Sequence, residues 1–265
     1  MTLAVVGSTA TAGAARIASL NLCTDSMVLE LLPKSQIATV TRLAADPSSS
    51  ALSMRTAALY LNHGLAEEIV TLAPTMVVST DAAAGANALL SRLGFRVEIF
   101  PSPATLARFR ENFVRMGEIT ATRDRARALL DTMEARLVTN TRPVKGARNA
   151  LLIEAGGYVP GPGVLADDLI AAAGLRNAAA DYQLQQGGFL TVEQLVNHPP
   201  AWLLIGEHDP KHPALASDFL SHPAIHRALR DKTRTVMVPA ALWTCGGTYF
   251  ADAVERLRAA LVVTP

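Results

Sequence analysis

The sequence predicts an α/β protein of two lobes with parallel central sheets, joined by a long helix. The first observation behind this prediction is an internal repeat with a constant spacing of 126 residues. Residues 65–78 resemble residues 191–204, so that Glu67 corresponds to Glu193 and Pro74 to Pro200. Each copy has the pattern of a short helix with an early acidic residue, a proline-marked turn and an apolar run suited to a buried parallel strand. Two related α/β units follow from this repeat.

The second observation is a helical stretch between the two copies, at residues 103–143. Its apolar residues recur at helical spacing, first at Leu106, Phe109, Phe113 and Met116, and then at Ala126, Leu129, Leu130, Met133 and Leu137. We expect one long helix, or two joined end to end, because a helix of about 20 residues spans roughly 30 Å and can connect two lobes as a strut. An ordinary amphipathic surface helix is the alternative. The expected lobes are residues 16–102 and 144–265.

Within the first lobe, apolar runs alternate with helical patterns. They predict strands at 16–21, 36–41, 76–79 and 96–100, and helices at 26–32, 54–61 and 87–93 beside the first repeat helix. The connection at 42–53 is a polar loop of unusual length, which is typical of a functional loop.

The same alternation restarts after the central helical stretch. It predicts strands at 149–154, 202–205 and 233–238, and helices at 165–173, 219–229 and 249–261 beside the second repeat helix. A loop rich in glycine and proline at 156–163 separates the first of these strands from the first helix.

Composition restricts the class of partner. Of the 265 residues, 50% are hydrophobic, which is ample for two cores. The net charge of +1, from 24 basic and 23 acidic residues, offers no basic field for nucleic acid. We therefore expect a small-molecule or protein partner. We also expect the chain to be a monomer. No window holds 18 uninterrupted apolar residues, so the sequence predicts no transmembrane helix.

The first 15 residues resemble the end of a secretory signal, with small residues suited to cleavage near Ala12 to Ala15. A charged n-region is missing, so a flexible tail is the alternative. No cysteine directly follows the segment, and we therefore expect a free periplasmic protein rather than a lipid-anchored one.

Ligands of open parallel sheets bind outside the carboxyl ends of the strands. The loops that follow the predicted strands supply the candidate ligand-binding residues. These are Asn21, Cys23, Thr24, Arg42, His63, Ser79, Asp81, Tyr158, Glu207, Trp243 and Cys245.

Five segments together resemble one protein family: the opening 16–21, the two repeat copies, the stretch 163–177 and the motif 242–247, Leu-Trp-Thr-Cys-Gly-Gly. In order and spacing they are similar to the substrate-binding proteins of ABC importers for vitamin B12, ferric siderophores and haem. The resemblance covers nearly the whole chain from Arg16 onward. It implies a ligand cleft between the lobes, no enzymatic activity and no resident cofactor or metal. The implied cargo is a metal chelate, with a ferric siderophore as the first expectation, a corrinoid second and haem third.

The resemblance also implies a partner, an ABC permease dimer in the inner membrane. In the family, one acidic residue of each repeat helix docks onto permease arginines, which here indicates Glu67 and Glu193. Carboxylates at matching points of two lobes suit a dimeric basic partner. Helix-capping carboxylates without a partner are the alternative, and Glu68 competes with Glu67 for the role.

Aromatic and basic residues suggest how a chelate is held. Trp243 and Tyr158 can stack on a flat ligand, or each can pack beside its own loop. Arg42 can pair with an anionic chelate or with the nearby Asp46. His63 precedes the first repeat helix and is a candidate for ligand contact.

The two cysteines, Cys23 and Cys245, fall in loops expected to face the cleft from opposite lobes. Three interpretations stay open: a disulfide that fastens the lobes, a thiolate pair that binds a soft metal, and two isolated buried residues.

An enzyme is the competing class. His208 and His212, flanked by Glu207 and Asp209, and the pair His222 and His226 have metal-ligand spacing, but nearby prolines break the helix that would align them. Residues 161–166 mimic a dinucleotide-binding loop, with Asp181 near the expected acidic position, although Pro162 removes an amide. These features allow a metal-dependent hydrolase or a dinucleotide-dependent oxidoreductase as alternatives.

Overall fold

The computed structural model describes residues 15–139, 148–154, 157–207, 223–230 and 233–263. Almost all of the predicted signal or tail segment therefore lies outside the described residues. The model has two α/β lobes, each with a parallel central sheet, which confirms the predicted fold class.

The first lobe is a five-stranded sheet flanked by helices. Its strands are β1 (Ile17–Ser19), β2 (Ile37–Thr41), β3 (Tyr60–Asn62), β4 (Met76–Thr80) and β5 (Val97–Phe100), and its helices are α1 (Leu22–Leu31), α2 (Ala66–Leu72) and α3 (Ala84–Arg92). The strand order is β3-β2-β1-β4-β5 and every pairing is parallel. Every residue of β2 and β4 is buried, which explains why these strands read as short uninterrupted runs rather than alternating patterns.

The predicted helix at 54–61 is wrong. The segment forms a 3₁₀ turn at Ser53–Thr56 and then the edge strand β3. Ala58 has a positive φ of 66°, which ends any helix there. The strand is stabilised by its pairing with β2, from Thr39–Tyr60 to Thr41–Asn62, and a three-residue strand is too short to give a periodic signal.

The central helical stretch consists of α4 (Leu106–Ile119) and α5 (Arg123–Thr139). The stretch is helical as predicted, but the predicted arrangement, one long helix or two joined end to end, is wrong. The two helices pack side by side and antiparallel. Ala121 turns the chain with a φ of 56°, and the Arg110 Nε lies 2.5 Å from the Glu134 Oε1 across the pair. Gly117 allows this close packing, since a Cβ there would lie 2.7 Å from the Ala126 Cβ.

The second lobe repeats the design with a four-stranded parallel sheet and a separate two-stranded ribbon. Its strands are β6 (Asn149–Ile153), β7 (Tyr158–Val159), β8 (Arg176–Asn177), β9 (Gly188–Phe189), β10 (Trp202–Glu207) and β11 (Arg234–Pro239), and its helices are α6 (Leu165–Ala172), α7 (Val192–Asn197), α8 (Pro223–Leu229) and α9 (Phe250–Val263). The parallel sheet has the order β11-β10-β6-β8, and β7 pairs with β9 as an antiparallel ribbon.

The sequence repeat is a structural repeat. Helices α2 and α7 begin at Ala66 and Val192, and strands β4 and β10 begin at Met76 and Trp202, so both pairs keep the spacing of 126 residues. In each lobe the repeated strand adjoins the first strand of its parallel sheet. The repeat helices therefore occupy equivalent places on the two lobes.

One continuous hydrophobic core joins the two lobes. It contains Val28 and Val40 of the first lobe, Phe113 of α4, and Leu152 and Phe250 of the second lobe. Two smaller clusters cover the other sides of the two sheets. Helices α4 and α5 therefore belong to the shared core, and the connection between lobes is more than a flexible linker. None of the described helices has the length and apolarity needed to cross a bilayer.

Candidate functional site

The carboxyl ends of the two parallel sheets meet between the lobes. The first turn of α1, which follows β1, and the loop after β11 are joined there by a disulfide between Cys23 and Cys245. Their Cα atoms lie 4.9 Å apart although the two residues are 222 positions apart in sequence. Of the three interpretations of the cysteine pair, the structure has the disulfide. The sulfur atoms are therefore not thiolate ligands for a metal.

Helix α1 contacts the second lobe through one face. Cys23, Ser26 and Glu30 are spaced along that face at i, i+3 and i+7. The Thr248 backbone N donates to both Glu30 carboxylate oxygens, at 3.2 and 3.3 Å, and its hydroxyl also donates to Glu30. The Tyr249 hydroxyl donates to the Ser26 Oγ at 3.1 Å. We call these two pairs, Glu30–Thr248 and Ser26–Tyr249, together with the disulfide, the lobe clasp.

The Glu30 carboxyl is buried within this clasp. Burial raises its pKa, while the hydrogen bonds from Thr248 and the charges of Arg55 and Arg125 oppose the increase. The Arg125 Nε of α5 also donates to the Glu30 carbonyl at 2.8 Å. The clasp is thus tied to both lobes and to the central helix pair.

The residues at the start of α1 are used by the fold itself. The Asn21 Oδ1 caps the helix by accepting from the Cys23 N at 2.9 Å. The Thr24 hydroxyl is fully buried and lies 2.7 Å from the Ser19 Oγ. Of the predicted ligand residues here, Asn21 is half-buried beside the cleft and Thr24 lies beneath the surface.

Asp25 is a fully buried carboxyl under the floor of the cleft. Its Oδ2 accepts from the Thr41 backbone N at 3.1 Å and from the Thr41 hydroxyl at 2.5 Å, whereas its Oδ1 has no hydrogen-bond partner among the described residues. Burial raises the pKa of Asp25 to about 7, against the opposing effect of its hydrogen bonds. The carboxyl therefore titrates near neutral pH.

We expect this titration to make stability fall as pH rises from about 4 to about 7. In that window the folded carboxyl keeps its proton while the unfolded one, with an ordinary pKa of 3.8, has lost it, so the unfolded state gains relative stability. The variant Asp25→Asn keeps an oxygen to accept from Thr41 and removes the charge. In urea unfolding we expect its stability relative to wild type to rise by about 2–4 kcal/mol between pH 5 and pH 8. Parallel pH profiles of the two proteins would contradict the assignment.

Three predicted residues of the first lobe differ in accessibility. Arg42 is exposed directly after β2 and makes no ion pair with a described residue. Asp81 is exposed after β4, accepts from the Ser102 N and Oγ at 3.2 and 2.5 Å, and has a lowered pKa because of the Ser102 hydroxyl. Ser79 is fully buried within β4. Arg42 and Asp81 are thus at the edge of the cleft, and Ser79 is not.

Two neighbouring glutamates at the start of α2, Glu67 and Glu68, differ in their contacts. Glu68 holds His63, with its Oε1 2.7 Å from the His63 Nδ1 and its Oε2 accepting from the His63 N at 2.7 Å. Glu67 is exposed in the first turn of α2 and makes no ion pair with a described residue. The free carboxylate of this helix is therefore Glu67.

Glu193 has the matching position on α7. It is exposed in the first turn of a helix that begins with a capping box between Thr191 and Gln194. Since these two residues cap the helix, the Glu193 carboxylate is not needed as a cap. It too makes no ion pair within the described part of the chain.

Aromatic residues at the carboxyl end of the second sheet fall into two kinds. Tyr158 is half-buried and packs edge-to-face on Phe189, with ring centroids 5.6 Å apart, and Phe189 is 69% exposed. Trp243 is only 5% exposed and packs in the shared core beside Gly206. The indole face is therefore covered, and the accessible aromatic surface is the Tyr158–Phe189 pair.

Two predicted ligand residues remain, Cys245 and Glu207. Cys245 is buried in the clasp. Glu207 is the last residue of β10, but its side chain lies outside the part of the chain that the structure describes. The same holds for the candidate metal ligands of the enzyme alternative, which are His208, Asp209, His212, His222 and the side chain of His226. Among the side chains that the structure describes, no group of three or more His, Cys, Asp or Glu residues is placed to hold a metal ion.

The glycine loop after β7 serves packing. A Cβ on Gly161 would lie 2.5 Å from the Gly187 N, so the glycine allows two backbone segments to approach. The Gly163 N donates to the Asp167 carboxylate at 2.9 Å, and Asp181 pairs with Arg176 through two hydrogen bonds. The Gly163 amide that a dinucleotide phosphate would need therefore already donates to the Asp167 carboxylate.

Sequence reasoning missed two contributors to this region, Phe189 and the clasp residue Glu30, and it considered Glu68 only for docking and not as the partner of His63. The repeat could have indicated Phe189, because this residue lies 126 positions after His63 and is its counterpart in the second copy. No sequence pattern could have indicated Glu30, since its partner Thr248 is 218 positions away.

Comparison with known proteins agrees with this geometry. The family model described as "Periplasmic binding protein" matches residues 17–235. Among solved structures, the periplasmic haem-binding protein RhuT from Roseiflexus sp. RS-1 has a TM-score of 0.74 at 22% identity, covering 94% of this chain and 98% of that chain. The periplasmic haem-binding protein HutB of Vibrio cholerae has a TM-score of 0.73 at 18% identity, covering 95% and 99%.

A third solved structure belongs to a protein named for a different ligand. The periplasmic vitamin B12-binding protein BtuF of Vibrio cholerae has a TM-score of 0.66 at 17% identity, covering 95% of this chain and 98% of that chain. At these identities the structural likeness establishes the fold. No curated protein sequence matches this chain.

Proposed function

Because this chain belongs to the periplasmic binding protein family, we propose that it is the receptor of an ABC importer, which captures a metal chelate between its lobes and delivers it to a permease. Hydrolysis of ATP takes place on other subunits of such an importer. The receptor itself performs no chemistry on its cargo.

The observation that carries the proposal is the pair of free carboxylates at repeat-related positions. Glu67 and Glu193 are both exposed, and each lies in the first turn of a repeat helix. Two like charges at equivalent points of two lobes fit a two-fold partner with basic residues. A pair of structural caps would instead be engaged with its own helix, as Gln194 is.

The cleft residues support a chelate as cargo. Arg42 provides an exposed guanidinium for an anionic group, and the Tyr158–Phe189 pair provides apolar surface. Ferric siderophores, corrinoids and haem all combine a metal with such groups. Relatives in fold that bind haem and vitamin B12 add to this support.

A thermal-shift screen tests the proposal. The panel is haemin, cobalamin, cobinamide, several ferric siderophores, free metal salts and NAD. A chelate present at 100 times its Kd stabilises the fold by about 2.7 kcal/mol, which raises Tm by about 5–10 °C for a protein of this size. We expect a shift with at least one chelate. A shift with bare metal or NAD alone would contradict the receptor function and favour the enzyme alternative.

A further inference from the structure

The turn that carries His63 is anchored from below. Asn62 is fully buried, and its Nδ2 donates to the Ser19 carbonyl and to the Thr39 hydroxyl, both at 2.9 Å. Its Oδ1 accepts from the Gly64 N at 2.8 Å, and Gly64 completes the turn with a φ of +80°. The backbone on both sides of His63 is therefore fixed to the sheet.

The imidazole of His63 is oriented by Glu68. One carboxylate binds both the backbone N and the ring Nδ1 of His63, each at 2.7 Å. A carboxylate oxygen accepts, so the 2.7 Å contact makes the His63 Nδ1 the hydrogen-bond donor to Glu68. The Nε2 then carries the lone pair, on a side chain that is 55% exposed. A histidine whose other nitrogen donates to a carboxylate is the usual arrangement of a metal ligand.

The second lobe places an aromatic surface at the equivalent position. His63 and Phe189 lie two residues before the N-caps of α2 and α7, which are Leu65 and Thr191. His63 follows the carboxyl end of β3, and Phe189 pairs with Tyr158, which follows the carboxyl end of β6, so both positions lie at the edges where parallel sheets bind ligands. The Phe189 ring is held against Tyr158, and Gly187 allows this because a Cβ there would lie 2.6 Å from the Tyr158 hydroxyl oxygen.

We propose that the His63 Nε2 coordinates the metal of the cargo, that Glu68 is the positioning residue for this ligand, and that Phe189 packs on the organic part of the chelate. The cargo is then a chelate with an open coordination position and a flat apolar face, the chemistry of an iron porphyrin. A ferric siderophore that fills all six positions does not fit this arrangement. The inference rests on the proposed function, since it specifies the cargo of the same cleft.

Titration of the full chain with haemin, followed by its absorption spectrum, tests this inference. We expect an imidazole-ligated spectrum with wild type. His63→Ala should lose that spectrum and bind at least 10-fold more weakly, and added imidazole should restore it. Glu68→Gln should keep the spectrum while weakening binding about 10–100-fold. The matched control is His198→Ala, which removes an exposed histidine at the end of α7.

Two results would overturn the inference. One is a His63→Ala variant that binds haemin with unchanged spectrum and affinity. The other is a wild-type protein that ignores haemin and binds a saturated ferric siderophore, an outcome that leaves the receptor function standing. Failure to bind any chelate of the screening panel would overturn both.

Discussion

Replacing Cys23 and Cys245 together by serine is expected to lower the free energy of unfolding by about 3–5 kcal/mol. The disulfide closes a loop of 222 residues, so its loss restores a large conformational freedom to the unfolded chain. The variant should still fold, because the Glu30–Thr248 and Ser26–Tyr249 pairs and the shared core continue to join the lobes.

Urea unfolding of the serine variant and of wild type, with and without dithiothreitol, measures this effect. Reduced wild type is the control and should match the variant. Thiol titration of unreduced, denatured wild type should find no free thiol. A loss of stability below about 1 kcal/mol, or two free thiols in that titration, would show that the clasp does not depend on the disulfide.

Reversing the charge of both carboxylates of the proposed docking pair, as Glu67→Arg with Glu193→Arg, is expected to reduce uptake of the cargo at least 100-fold. Like charges brought together across an interface cost several kcal/mol, and each 1.4 kcal/mol is a factor of ten in affinity. Cargo affinity should stay within twofold of wild type, since both residues lie on exposed helix turns. Each single reversal should have an intermediate effect.

The matched control for this experiment is Asp124→Arg with Asp131→Arg. Both residues are exposed on α5, so the control makes the same change in net charge away from α2 and α7. Uptake is measured in cells that carry the cognate permease, and cargo affinity is measured on purified protein. Normal uptake by the Glu67 and Glu193 variant, or equal loss in the control, would refute the docking role.

The repeat made the architecture predictable. A spacing of 126 residues located both repeat helices and both repeated strands, because each copy forms the same local unit with its own turn signal at Pro74 or Pro200. The edge strand β3 was missed because three residues give no period, and its stability comes from pairing with β2. The chain reverses direction between α4 and α5 at a left-handed residue, Ala121, and the sequence does not mark this alanine as a turn.

The candidate site was predictable only in part. Arg42, His63, Asp81 and Tyr158 could be predicted as accessible positions, because they lie in the loops that follow the carboxyl ends of the strands and topology alone places such loops at a cleft. Burial is set by tertiary packing, so the sequence did not distinguish the covered Trp243 from the exposed Phe189. The partners of the clasp are more than 200 positions apart, and no local pattern encodes such contacts.

Capture of a metal chelate is the central claim, and native mass spectrometry of the protein isolated from its own host, combined with elemental analysis, tests it most directly. The account predicts one adduct per chain that contains a metal together with an organic chelator and is released on denaturation. An adduct of a nicotinamide dinucleotide, or of a bare metal ion without an organic chelator, would contradict it.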